Sequence, residues 1–497
     1  MNGAGFQPAA GLPSGAPRPL RDFAPGLESW FLFDETEDSY DIPTVTGAIP
    51  EWLRGSWYIN GPARFERAGM RYKHWLDGDG MICALQFAAD GLHFTNRFVR
   101  TRKLTEEDAA GRFLYRGFGT ALPGSRLRRN LILESPVNVS VYPFAGRLLA
   151  MGEQTLPYEL DPVTLATRGE YDFNGALNEV TPFSAHAKLD RALLNFGISF
   201  SGLRPSLNVF EFDHAGNLQR RRRYPLPHPH SIHDFGFTPQ RVLFFLSPLL
   251  MNFERFLSGA SVMESLSWQP ELGSRILVAP RAGSGAGPFT VEAGDGYCLH
   301  FINCFEEGDR LVIDVLLLDA PVYPEYQPVP DLFATAPKCR PVRYVIDIER
   351  RTLVETCALD GYKLAQDFPS IDVARAGRAY GDFWLLGISE LARPGRKFFD
   401  QLARGSWQAG SIADIYTVAR GEYLCGEPCF VANPRCNDEA VVICECFDAA
   451  SNAASIVLFE AFDVRRGPIA SIPLRRPVHP GFHTSFLPLT PRGECSR

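Results

Sequence analysis

Short apolar runs, each stopped by a turn signal, succeed one another from about residue 20 almost to the end of this 497-residue chain. Clear cases are Leu193–Phe200, Leu207–Asp213, Arg241–Ser247, Leu311–Asp319, Val342–Glu349, Tyr380–Ile388, Ala440–Asp448 and Ser455–Asp463. Val, Ile, Leu and Phe dominate them. Most are too short for stable helices and read as buried strands. Asp90-Gly91, between two such runs, is a hairpin signal. The 44 Gly and 39 Pro supply the turns and exclude a helical bundle, and 37 Phe supply core material. The chain is therefore read as all-β. Its length gives a soft prior of about three domains, but closed all-β folds often exceed that size as one unit.

A weak repeat sharpens this reading. An apolar strand ends in Asp, turns, and returns through another apolar residue at Tyr158–Leu165, Phe210–Leu218, Tyr344–Leu353 and Phe459–Ile469. Asp161 and Asp213 stand 52 residues apart, and Asp347 and Asp463 stand 116 apart, about two such periods. A period near 50 is the scale of a four-stranded propeller blade. The repeat alone leaves a sandwich array open, since any β meander puts Asp in its turns.

Residues 1–20, rich in Gly, Pro and Ala, read as a flexible tail with neither a basic start nor an apolar core of a signal peptide. No apolar run reaches the 18 residues of a spanning helix. A net charge of −7 argues against a nucleic-acid partner. Eleven Cys in such a chain read as reduced, mostly buried thiols. The spacing of Cys425, Cys429 and Cys436 matches no common zinc pattern. The expected location is cytoplasmic. One segment departs from the strand texture: 248–266 carries apolar residues at roughly helical spacing, including Leu249, Leu250, Phe253 and Phe256. It reads as core packing or a lid, or as an exposed patch touching a membrane or collecting a lipophile.

Four of the ten His stand among hydrophobic residues: His186, His233, His300 and His483. A lone imidazolium there would be costly. Separations of 47, 67 and 183 residues cannot form a local knuckle. They suit a closed β fold in which distant strands converge on one axis. Imidazole binds Fe, Cu, Zn and Ni alike, so spacing does not select the metal.

The stretch His74-Trp75-Leu76-Asp77-Gly78-Asp79-Gly80-Met81 closely resembles a signature of the carotenoid cleavage oxygenase family. Leu53–Pro62 resembles the family's opening segment, with Ile59 in the usual Arg position, and Asn96–Thr101 a third segment. The four His contexts match the family's ligand motifs in order, so the resemblance runs from about residue 40 to 487.

The resemblance implies a seven-bladed β-propeller over 21–497 with helices and loops capping one face. It implies one non-haem Fe(II), bound by His186, His233, His300 and His483, with O2 as co-substrate. Glu153, Asp367 and Glu427 would accept the outer imidazole N–H groups. Asp367 stands where the family has Glu, so the shorter arm calls for a backbone shift or a bridging water. Thr484 stands where the family usually has Gly. The His74–Met81 stretch reads as a hydrogen-bonded structural turn, Arg281 as a structural position, and Arg220–Arg223 as a solvated hairpin tip.

The implied activity is oxidative cleavage of a conjugated C=C bond of a carotenoid or apocarotenoid to carbonyl products. A hydroxystilbene-type alkene is the first alternative and would need polar groups in the pocket. A retinoid isomerohydrolase or a non-catalytic lipophile binder is the second. The expected partner is a lipophilic small molecule, with a peripheral membrane contact through 248–266 and no obligate protein partner.

Overall fold

The computed structural model describes residues 26–200, 204–281, 287–326, 332–333, 337–359, 365–389 and 398–489. The proposed tail at 1–20 lies outside them. The apolar runs form seven antiparallel sheets arranged as the blades of a β-propeller. Blade one is ordered, from the axis outwards, Thr484–Pro488, Gly55–Arg64, Asp79–Ala88, Gly91–Phe98, Ser39–Ile42. Blades two to six each hold four strands in chain order; their innermost strands are Ser140–Phe144, Lys188–Leu189, Gly236–Phe237, Tyr297–Glu307 and Ala365–Ser370. Blade seven runs outwards from Glu422–Asn433 and ends on Thr46–Gly47. Strands from both ends of the chain thus close the ring. A C-terminal strand lies on the axis of blade one, paired Tyr58 to Ser485.

The sequence repeat is the turn between the third and fourth strands of blades two, three, five and seven. The spacing of 52 is one blade and that of 116 is two. In three of the four, the Asp caps the turn. Asp161 accepts the Val163 and Thr164 N–H groups, Asp213 those of Ala215 and Asn217, and Asp347 that of Arg350. These bonds hold all three carboxyls below their ordinary range. Asp463 opens a 3-10 turn without a side-chain cap. Asp90-Gly91 joins two paired strands as expected.

Antiparallel order makes the chain alternate direction through each blade. The connections between second and third strands, and those between blades, therefore share one face. They include 65–78, 99–139, 152–157 and 247–273, whereas most turns on the opposite face are short. The long connections bind one another. Met263 N–H donates to the Phe118 carbonyl at 2.9 Å, and Trp75 N–H to that of Tyr326 at 3.2 Å. Arg116 donates to the Phe256 carbonyl. Phe118 packs on Tyr323, and Trp75 on Phe398 and Phe482.

The His74–Met81 turn is the clamp of this cap. His74 bridges the Leu76 N–H and the Tyr323 carbonyl. Asp77 accepts from Gly119 N–H at 3.0 Å and from the Thr120 hydroxyl at 2.5 Å. Asp79 accepts from Lys103, buried with Glu107 and Tyr72. At Gly80 a Cβ would meet the Val137 carbonyl at 2.2 Å, so glycine alone lets the turn sit that close.

Segment 248–266 is an insertion in blade four. It forms two short strands, Leu249–Met251 and Leu266–Trp268, around two short helices, Phe253–Leu257 and Val262–Ser265. Asn252 and Ser261 cap those helices, which splits the helical spacing in two. Leu249, Leu250 and Phe256 point inward, while Phe253 is half-buried and Leu257 is 52% exposed. Arg220–Arg223 lie in the outermost strand of blade three rather than at a hairpin tip. Charge there guards an edge strand against pairing with another chain. Arg281 ties blades three and four through Asp190 and Glu211. Among the described residues no helix is long and apolar enough to cross a membrane.

Candidate metal centre

Each blade contributes one residue to the axis just beneath the cap. His186, His233 and His483 stand one to three residues ahead of the innermost strands of blades three, four and one; His300 lies within that of blade five. Asp367 and Glu427 lie in the innermost strands of blades six and seven, and Glu153 follows the second strand of blade two. The strands that carry His300, Asp367 and Glu427 break register there, between Cys298 and Phe301, Asp367 and Ser370, and Cys425 and Cys429. Such bulges re-aim a side chain out of the pleat.

Local bonds hold the loops. The Ser184 hydroxyl accepts the His186 N–H at 3.1 Å and donates to the His233 carbonyl at 3.2 Å. The Asn60 N–H donates to the His483 carbonyl. Ile59 presses on Gly426 and Gly481, where an added Cβ would approach its Cδ1 to 2.4 and 2.3 Å. This residue, in the family's Arg position, thus packs the turns that carry Glu427 and His483.

The four imidazoles converge, with one nitrogen of each within 4.8 Å of the others. His186 and His233 face one another, Nε2 to Nε2 at 2.9 Å. Imidazole–metal bonds are about 2.1 Å, so two nitrogens at right angles about one ion lie about 3 Å apart, close to this separation. His300 Nε2 is buried with no hydrogen-bond partner. Burial, and the three neighbouring imidazoles, hold His186 well below the ordinary histidine value, hence neutral. Four converging imidazole nitrogens, one of them buried without a hydrogen-bond partner, fit a transition-metal ion.

Carboxylates back three of the four rings. His233 Nδ1 lies 2.7 Å from Glu153, His300 Nδ1 2.5 Å from Asp367, and His483 Nδ1 3.4 Å from Glu427. Asp367 reaches His300 directly, without a water. The backbone supplies the missing length: the next residue, Phe368, sits at φ 56, where the strand slips register. Burial would raise the Asp367 carboxyl, but His300 and the Phe368 N–H outweigh it and hold it low. The Thr484 departure is also accommodated: its N–H donates to the Glu427 carboxylate and its hydroxyl to the Glu427 carbonyl.

Two partners escaped the sequence reading. Asp234, beside His233 in the chain, turns instead towards His186 Nδ1 at 3.8 Å and pairs with Lys188 at 2.7 Å. The Tyr326 hydroxyl donates to Asp367 at 3.1 Å. Asp234 carried a signal, an acid adjacent to a ligand candidate, but its direction depends on the loop. His479, outside the four candidates, is fully buried, and burial lowers it to about 4. All ten described cysteines are free thiols, mostly buried.

The comparisons agree with this geometry. The profile of the retinal pigment epithelial membrane protein family matches residues 32–488. An apocarotenoid-15,15'-oxygenase of Synechocystis is 29% identical over 90% of this chain and 94% of its own. Isozyme III of lignostilbene-α,β-dioxygenase from Sphingomonas paucimobilis is 28% identical over 89% of this chain and 92% of its own. A solved structure of the Synechocystis apocarotenoid oxygenase superposes with a TM-score of 0.84 at 26% identity, covering 93% of this chain and 98% of that one.

Proposed function

Since the chain belongs to the retinal pigment epithelial membrane protein family, that of the carotenoid cleavage oxygenases, we propose that it is an Fe(II)-dependent dioxygenase of a carotenoid or apocarotenoid. The chain is an oxidoreductase, and its chemistry is oxidative cleavage of a C=C bond in a lipophilic substrate. The observation that carries the reading is the ring of four converging imidazoles, three backed by carboxylates, beneath an aromatic cap.

His186, His233, His300 and His483 would hold the iron through their inward nitrogens. Bound there, Fe(II) supplies activation of O2 for addition across the double bond, which no side chain of the site can provide. Asp367 accepts the His300 Nδ1 proton, and the Glu153 and Glu427 carboxylates stand 2.7 and 3.4 Å from Nδ1 of His233 and His483, where they bias each ring's tautomer and direction. Tyr326 in turn holds Asp367. The cap excludes bulk water, and its aromatic side chains orient the alkene. Cleavage to two carbonyls needs no protein nucleophile.

A stilbene-type substrate is the second reading, and a specific observation favours it. Tyr323 lies over His233 with ring centroids 6.4 Å apart, and the buried Tyr297 beside it brings a second phenol hydroxyl close to the centre. A phenol could use such a group; a polyene could not. Aerobic incubation of the Fe(II)-loaded protein with carotenoids, apocarotenals and hydroxystilbenes, read by mass spectrometry, separates the two. Paired carbonyl fragments from a polyene are expected. Fragments from hydroxystilbenes alone would transfer the assignment, and isomerisation or ester cleavage without O2 would support the isomerohydrolase alternative.

A peripheral membrane contact through 248–266 would rest on Leu257 and the partly exposed Phe253, because Leu249, Leu250 and Phe256 face inward. Loss of liposome flotation in a Phe253→Ser/Leu257→Ser variant would support it; unchanged flotation would remove it.

A further inference from the structure

The metal centre has a second side. From His186, His300 and His483 a channel of ≈ 560 Å³ runs along the propeller axis, away from the cap, to the exposed residues Val373, Ala374 and Leu487. All seven innermost strands line it. Their antiparallel order places its outer mouth on the face of short turns. The longest turn of that face, 371–381, forms part of the rim. The Asn303 amide holds this turn, donating to the Arg375 and Arg378 carbonyls and accepting the Gly377 N–H at 2.9 Å.

The two sides of the centre differ in chemistry. Above the histidines stand Tyr323, Phe118, Trp75 and Phe482. Below them, the channel wall sets the Lys188–Asp234 ion pair, the Glu427 carboxylate, Thr484 and Ser485 among apolar side chains such as Phe235, Phe301 and Phe430. The Ser485 hydroxyl has no protein partner. A long apolar alkene threaded along that wall would strip water from an ion pair and a carboxylate without replacing any hydrogen bond. A hydrated channel leaves those groups solvated, and dioxygen is small enough to pass along it.

We propose that the axial channel is a separate route by which dioxygen and water reach the four-histidine centre from the uncapped face, while the alkene occupies the cap side. This rests on the proposed iron oxygenase reading.

The test narrows the mouth far from the ligands, with Ala374→Trp and Leu487→Trp, and uses Ala374→Ser and Leu487→Ala as unobstructed controls. Iron content is measured first. Nitric oxide, a dioxygen-sized probe, is then mixed with the anaerobic Fe(II) protein, and formation of the nitrosyl absorption is followed by stopped flow. Association at least fivefold slower in both Trp variants, with controls at the wild-type rate, is expected. In turnover, KM for O2 should rise at fixed alkene while KM for the alkene stays constant. Wild-type nitrosyl rates in Trp variants that hold iron would overturn the route and leave the iron reading intact. Wild-type protein that binds no iron would overturn the reading itself.

Discussion

At the scale of single residues, the centre depends on groups that never touch the ion. Asp367 makes the shortest of the carboxylate–imidazole contacts and is itself held by Tyr326. Asp367→Asn keeps the shape but cannot serve as the anionic acceptor for the His300 proton. Iron affinity should fall 10–100-fold in an anaerobic titration, with an unchanged unfolding midpoint of the metal-free protein. His479 gives a pH test. Burial lowers it to about 4, against about 6.5 when unfolded. Between those values the unfolded chain binds a proton that the folded one refuses, so stability falls as pH drops from 6.5 to 4. The contribution reaches about 3 kcal/mol at the acid end. Relative to His479→Gln, wild type should lose about that much across this window in urea melts; a pH-independent difference would rule the burial argument out. The ten His were visible as residues, and four stood out by their apolar neighbours. The direction of Asp234 was not visible, because a carboxylate next to His233 reaches His186 only through the turn between them.

At the scale of elements, the repeated Asp turns were legible because they are local: each carboxylate bonds amides within four residues of itself. Asp213→Ala should therefore lower the midpoint of a denaturant melt slightly and leave iron binding intact. The clamp at His74–Met81 is different. Its sequence showed a turn, but its partners Lys103, Glu107, Thr120 and Tyr323 come from two other connections. Lys103→Met would leave the Asp79 and Glu107 carboxylates buried without this cation, a loss of about 3–5 kcal/mol measurable as a lower urea midpoint. Segment 248–266 shows the limit of periodicity. Its apolar spacing fits a helix, yet two caps and a strand pair divide it, and tertiary contacts decide which side chains face inward.

At the scale of the whole molecule, closure of the ring makes the centre. Thr484–Pro488 is the innermost strand of blade one, and the residue before it is His483. The strand that fastens the propeller therefore also completes the imidazole set. The blade period gave the architecture a physical basis, and the family resemblance supplied the number of blades. The axial channel was not legible, since its wall is assembled from seven strands and no one of them announces it. The most direct measurement is an anaerobic Fe(II) titration of wild type beside His186→Ala, His233→Ala, His300→Ala and His483→Ala, with O2-dependent cleavage assayed in each. One ion per wild-type chain, with affinity and cleavage lost together in every variant, is the expected result. Wild-type binding and cleavage in any properly folded variant would contradict the four-histidine centre.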